Sequence, residues 1–304
     1  MNRVIHGSCE SMSDVTDGSV ALTVTSPPYW NAIDYDRHAE DPTQWYRTRE
    51  YREAKDEYEQ YLDWLTTVFR GVRDKTIPGG FCCIVIGTLL FDGKHHPVPH
   101  HLTARMTADG WLFHQDIIWN KVTGGVKRAG VFIQRPYPGY FHPNIMTEYI
   151  LIFRKEGEPI FKSRGDDEKR RAAVPINRLF TSDIANSVWH IAPVPPRHLD
   201  HPCPFPEEIP ARLISLYSYP GDLVLDPFTG SGQSLKVARH LGRRYVGYET
   251  IERYVEYARK RIEEPLNIRE MQLIAQFEKI PIEEGLIGKR NASRQDEMLF
   301  PLEA

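Results

Sequence analysis

The sequence predicts an α/β fold built on a doubly wound, mainly parallel sheet that carries one large insertion. Three observations lead there. Short apolar runs alternate with longer segments of helical spacing, and hairpin signals are scarce before Trp111, which favours crossover connections. Two of the apolar runs end in special loops: Leu22-Thr23-Val24-Thr25 enters Ser26-Pro27-Pro28-Tyr29, and Leu223-Val224-Leu225 enters Asp226-Pro227-Phe228-Thr229-Gly230-Ser231-Gly232. Between residues 123 and 195 the periodicity gives way to Gly, Pro, aromatic and basic residues, and an irregular stretch of that length inside a compact chain is disordered or functional.

The elements follow in order. Strands are predicted over 4–6 and 20–25, with a polar turn between them. A polar, aromatic-rich stretch covers 31–51. A helix over 55–74 places Tyr58, Tyr61, Leu62, Leu65, Val68 and Phe69 at helical spacing, as a core face. Pro78-Gly79-Gly80 breaks the chain before a strand over 81–86. A helix over 98–109 closes at Gly110, and 111–119 reads as a strand. Within the irregular stretch only 149–154 is strand-like. Regular structure returns with a helix over 206–219, the strand feeding the glycine loop, a helix over 233–241, a strand over 244–248 and a helix over 251–263. The expected organisation is a first sheet half (1–122), an insertion (123–195), a second sheet half (196–264) and a charged extension (265–304) with no assigned role.

With 304 residues, 41% hydrophobic and 26% charged, the chain has the composition of an ordinary globular protein. Its apolar runs are too short to span a membrane, and its first residues lack a signal pattern, so a cytoplasmic location without a membrane partner is expected. Four cysteines, none in a CxxC pair, read as reduced, with Cys82-Cys83 in the core. A net charge of −3 offers nucleic acid no global attraction. A local excess exists: residues 121–171 hold eleven Lys or Arg against six Asp or Glu, either a binding surface or a solvated face.

The chemistry concentrates in the two loops. Consecutive prolines cannot donate to a sheet ladder, so the first loop is stiff. The Ser26 hydroxyl and the Pro27 carbonyl can accept hydrogen bonds from an amino group while Tyr29 offers a face to a planar ring. Taken alone, the tetrapeptide is also a simple proline turn. The second loop, with Glu249 at the end of the next strand about twenty residues on, has the logic of nucleoside binding: glycines admit the ligand and an acid grips ribose. Leu235 stands where a third glycine would complete GxGxxG, and no phosphate-loop Lys-Ser/Thr follows, so a ribose ligand without phosphate fits best.

Together the two boxes resemble the amino-group DNA methyltransferases, and their order, Ser-Pro-Pro-Tyr before the glycine loop, is that of the permuted β class. The resemblance runs over about residues 3–262, with Val4-Ile5-His6-Gly7, Trp119-Asn120-Lys121 and His201-Pro202-Cys203-Pro204-Phe205-Pro206 also matching. It implies a Rossmann-like methyltransferase fold, S-adenosylmethionine as methyl donor with S-adenosylhomocysteine as product, no metal, and double-stranded DNA as partner in a prokaryotic or phage setting. A homodimer and a cognate restriction endonuclease are compatible with it. By resemblance, Ser26, Pro27, Pro28 and Tyr29 are catalytic. Asp226, Pro227, Phe228, Gly230, Ser231, Gly232, Glu249, Ile251, His6 and Gly7 bind the cofactor. The 123–195 insertion reads the target, with Lys127, Arg128, Arg135 and Tyr137 on DNA. Family members with Ser at the head of the first box are mostly N4-cytosine enzymes, those with Asp or Asn N6-adenine enzymes. N4-methylcytosine is therefore expected, with N6-methyladenine and an inactive nucleic-acid-binding module as alternatives. Ser8 departs from the family, which often carries Asp after this first segment. Pro202-Cys203 is a weak match to a cytosine-C5 nucleophile because it precedes the glycine loop. His95-His96 and His100-His101 lack acid or cysteine partners at metal-ligand spacing.

Overall fold

The structure, a computed structural model, describes residues 2–30, 55–91, 94–121, 138, 145–176, 178–195, 199 and 204–267. The strands are β1 (Asn2–His6), β2 (Val20–Thr25), β3 (Thr76–Ile86), β4 (Leu89–Phe91), β5 (Lys94–His96), β6 (Leu112–Asn120), β7 (Thr147–Arg154), β8 (Val188–His190), β9 (Leu223–Asp226) and β10 (Arg244–Glu249). The α-helices are α1 (Lys55–Lys75), α2 (Val98–Ala108), α3 (Asp166–Ala172), α4 (Glu208–Tyr217), α5 (Gln233–His240) and α6 (Glu252–Glu263). Eight strands form one sheet in the order β1-β10-β9-β2-β3-β7-β6-β8. Pairing is parallel from β1 across to β3 and again between β6 and β8, and β7 runs antiparallel to both neighbours.

Both faces of the sheet are covered, which is why its strands are apolar on both sides. Successive side chains alternate between faces. Leu22, Val24, Cys83 and Val85 join one core with Ile209, Leu213, Val237 and Ile262 of α4, α5 and α6. Val20, Cys82, Ile84 and Ile86 join the other with Leu62, Leu65 and Phe69 of α1 and Leu102 and Met106 of α2. The adjacent cysteines thus point to opposite faces, both buried as free thiols. The helical stripe expected of α1 is core, as its spacing required.

Three features differ from the sequence reading. Pro78-Gly79-Gly80 does not end a strand but lies inside β3, where the register jumps from Val20↔Thr76 to Leu22↔Phe81. The extra residues form a bulge. Gly79 has φ +74°, and a Cβ there would lie 1.9 Å from the Glu158 carbonyl oxygen, so no other residue fits. A short hairpin, β4 with β5, was not expected. The stretch 123–195 supplies β7 and β8 to the main sheet, so the described part of it beyond Ile145 is not wholly an insertion. The strand expected over 149–154 is β7, whereas β8, three residues long, is too short to read from its pattern.

The basic excess over 121–171 is also largely occupied. Arg164 pairs with Glu168 at 2.7 Å and Asp222 at 2.5 Å, Lys162 with Glu158 at 3.0 Å, and Arg170 with Asp167. Lys155 donates to the Thr76 carbonyl at 2.8 Å. Lys127, Arg128, Arg135 and Tyr137 lie outside the described residues, as do Pro202 and Cys203. None of the described helices is long and apolar enough to cross a membrane.

Candidate active site

The two boxes meet because β2 and β9 are neighbours, paired in parallel at Leu22↔Val224 and Thr23↔Leu225. Both loops therefore leave the same carboxyl edge, where ligands of open α/β sheets sit. A side-chain bond stitches them: Thr25 Oγ1 donates to Asp226 Oδ1 at 2.6 Å, and the same oxygen accepts the Phe228 N–H at 3.1 Å. Asp226 is 1% exposed. Burial pushes its carboxyl up to about 6, with the Thr25 and Phe228 hydrogen bonds pulling the other way.

The glycine loop is held from below by backbone. Thr229 N–H donates to the Tyr248 carbonyl at 2.9 Å, its hydroxyl to the Asp226 carbonyl at 3.0 Å, and Gly232 N–H to the Thr229 carbonyl at 2.8 Å. Glu249, at the end of β10, accepts the Gly230 N–H on one carboxylate oxygen at 2.9 Å and the Ile251 N–H on the other at 3.0 Å. Its carboxyl is raised by burial, against the pull of those N–H groups and of nearby His6. His6 and Gly7 brace this corner: His6 Nε2 donates to the Thr250 carbonyl at 3.0 Å and Gly7 N–H to the Glu249 carbonyl at 2.9 Å. On the other loop, the Tyr61 hydroxyl of α1 donates to the Pro28 carbonyl at 2.9 Å.

Between the loops lies a cavity of about 210 Å³. Ser26 and Pro28 wall it from the first box, Pro227, Phe228 and Gly230 from the second, and Gly7, Glu249 and Ile251 from the strand ends. Six expected residues are not in its wall. His6 and Gly232 stand behind it in the bonds just given, and Asp226 lies beneath. Ser231 is 3% exposed, its carbonyl taken by Arg261 Nη1 at 3.0 Å. Pro27 is buried, and Tyr29 lies against Gly87. Six other described residues line the wall: Ser8, Cys9, Trp64, Tyr248, Thr250 and Tyr254. Ser8, Cys9, Tyr248 and Thr250 adjoin flagged residues, so adjacency alone was a signal. Trp64 had none, since only the docking of α1 over the edge brings it in, its indole donating to Glu10 Oε1 at 2.8 Å.

Among the described residues the wall contains no Lys or Arg, so a phosphate would find no counter-charge from them. An acceptor carboxylate, a glycine backbone and the aromatic faces of Trp64, Phe228 and Tyr254 suit a ribose nucleoside that carries a cation. The histidines of 95–101 pack elsewhere: His96 meets Trp30 and Tyr58 edge-on with ring centroids 5.0 Å apart, and the Tyr58 hydroxyl is bonded to His101 Nδ1 at 3.0 Å.

This geometry agrees with the comparisons to known proteins. The model of the N6/N4 DNA methylase family matches residues 20–260. The chain belongs to this family. It is 31% identical over 271 residues to the type II methyltransferase M.MjaI of Methanocaldococcus jannaschii, a match covering 82% of this chain and 86% of that one. It is 30% identical to M.MthZI of Methanothermobacter thermautotrophicus, over 88% and 78%. Among solved structures, TTHA0409 of Thermus thermophilus, described as a DNA modification methylase and determined with S-adenosyl-L-methionine, aligns at 28% identity with a TM-score of 0.64, covering 86% of this chain and 95% of that one. The cytosine-N4-specific PvuII DNA methyltransferase shares the fold at 19% identity and a TM-score of 0.62, over 91% of this chain and 92% of that one. The methyltransferase is thus a DNA-modifying enzyme of the N6/N4 type that uses S-adenosylmethionine.

Proposed function

We propose that this enzyme methylates the exocyclic N4 amino group of a cytosine swung out of duplex DNA. The observation that carries the reading is Ser26, at the head of the Ser-Pro-Pro-Tyr turn, in the wall of the cavity that Glu249 and Gly230 also line. An amino nitrogen conjugated to its ring is a poor nucleophile. Acceptors aimed at its hydrogens favour a pyramidal nitrogen and stabilise the positive charge that develops on it, the reverse of an oxyanion hole. The Ser26 hydroxyl and the Pro27 carbonyl take that role, and because the Pro28 carbonyl is engaged by Tyr61, the acceptor set of the loop is fixed. Tyr29 stacks on the displaced base and recovers part of the cost of unpairing it.

S-adenosylmethionine, when bound, supplies an already activated methyl on its sulfonium. Glu249 would hold the ribose, Gly7 and Gly230 would bring backbone close, Phe228 would line the methionine side, Ile251 would pack on the adenine, and the remaining work is positioning. Asp226, Ser231, Gly232 and His6 support these groups from behind. Relatives carrying type II methyltransferase names support a role in restriction-modification, beside an endonuclease acting on the same site. Target reading is assigned to the basic and aromatic residues Lys127, Arg128, Arg135 and Tyr137.

Mass spectrometry of nucleosides from DNA treated with the enzyme and S-adenosylmethionine tests the proposal. N4-methylcytosine is expected. N6-methyladenine as the sole product would assign the amino group to adenine instead, and no methylated base at all would leave a binding module.

A further inference from the structure

On the acceptor side of the edge lies an ion pair that the roles above do not use. The register Thr25↔Ile84, Ile86↔Tyr149 and Trp119↔Glu148 sets the ends of β2, β3, β7 and β6 side by side, so the Ser26 loop, Gly87, Glu148 and Lys121 follow one another away from the cavity. A Cβ on Gly87 would lie 3.6 Å from Tyr29 Cε1 and 3.1 Å from Glu148 Cγ, so the tyrosine ring and the glutamate stem close together over this glycine. Lys121 Nζ is paired with Glu148 Oε1, with side chains only 16% and 11% exposed. The ammonium also sits 4.6 Å from the centroid of the Trp119 ring, and that indole is pinned by its bond to the Ile191 carbonyl at 2.8 Å. Lys121 is therefore held in place beside the aromatic platform. An ammonium has three donors, and Glu148 engages one.

A base that leaves the duplex loses the partner of its ring nitrogen as well as that of its amino group. Ser26 and Pro27 accept from the amino group, but a carbonyl cannot donate to the adjacent ring nitrogen, and a buried acceptor without a donor is costly. We propose that Lys121, positioned by Glu148, donates to the ring nitrogen beside the reacting amino group, which is N3 of cytosine. The same contact admits N1 of adenine and rejects thymine, whose N3–H is a donor. The inference rests on the reading that a displaced base presents its amino group to Ser26.

A cycle of substrate and protein changes tests it. Turnover is measured on duplexes carrying cytosine or 3-deazacytosine at the target position, for the wild type, Lys121→Met and the neutral pair Lys121→Met with Glu148→Gln. The double variant keeps the shape while leaving no buried charge unpaired. The wild type should lose about 10- to 100-fold in kcat/KM on the analogue, and both variants should lose about as much on cytosine yet no more than about twofold further on the analogue. Losses that multiply, or a Lys121→Met enzyme with wild-type kcat/KM on cytosine, would overturn the contact. If the product is N6-methyladenine, the same cycle is run with 1-deazaadenine, so a wrong base shows in the product and a wrong contact shows in the cycle.

Discussion

The two sides of the carboxyl edge are built differently. On the cofactor side, Glu249 has one backbone N–H on each oxygen, and the loop carbonyls and amides are closed by Tyr248, Asp226 and Thr229. On the base side, the first loop is stiffened by proline and one tyrosine, and Ser26 lines the cavity with no hydrogen-bond partner for its hydroxyl among the described residues. A preorganised frame suits a ligand that returns in the same pose each cycle, whereas uncommitted acceptors suit a group whose charge appears only in the transition state. The difference predicts which mutations divide binding from turnover.

The largest effect is expected at Ser26. Ser26→Ala should lower kcat by about one to three orders of magnitude and leave the S-adenosylmethionine dissociation constant within about twofold, as measured by single-turnover kinetics and calorimetry. Glu249→Ala should do the converse, weakening cofactor binding by about 10- to 100-fold, the scale for charge-assisted hydrogen bonds, with kcat at saturation nearly kept. Equal loss of affinity in both variants would erase the contrast between the two sides.

The contrast also explains what the sequence could show. Strand and helix identities for β2, α1, β9, α5, β10 and α6 follow from apolar spacing and from the turn residues that end them, and the adjacency of the boxes follows from doubly wound topology. The Thr25 to Asp226 bond was not legible, because adjacency of two strands does not give the side-chain geometry that sets these residues within hydrogen-bond reach. Asp226, expected on the cofactor, is a buried tie between the two boxes in the structure. The pairing of Lys121 with Glu148 was equally hidden: strands are legible over 111–119 and 149–154, but not that they pair antiparallel and bring the two side chains together. Trp64 shows the same limit, since helical spacing says which face is apolar but not what that face covers.

Asp226→Asn sharpens the distinction between tie and ligand. The folded-state pKa is pushed up from 3.8 to about 6 by burial. The folded state therefore favours the protonated form, so this contribution to stability is complete below about pH 3.8 and is lost as pH rises through about 6. At pH 7.5 the protein carries the penalty of a buried carboxylate. Two units correspond to roughly 3 kcal/mol, and imperfect replacement of the hydrogen bonds should reduce the gain in the amide variant to about 1–2 kcal/mol. Denaturant melts should show that gain at about pH 7.5, none near pH 4, and cofactor affinity within about threefold. Strong loss of affinity at unchanged stability would return Asp226 to the ligand.

The smallest effect is expected at Tyr61, the side-chain tie on the base side. Its hydroxyl donates to the Pro28 carbonyl from α1, an element that otherwise contributes core. Burial raises its pKa well above the usual phenol range, so the group stays a neutral donor at any working pH. Tyr61→Phe keeps the ring and leaves a partly buried carbonyl without its donor, at about 1 kcal/mol of stability. Loss of the tie frees the loop that presents Ser26 and Pro27. The expected result is a fall in kcat of about 2- to 5-fold with cofactor affinity unchanged, because none of the bonds that frame Glu249 is touched. A variant that loses cofactor affinity instead would mean that α1 braces the cofactor side, through its neighbour Trp64, and that the two sides are coupled rather than separate.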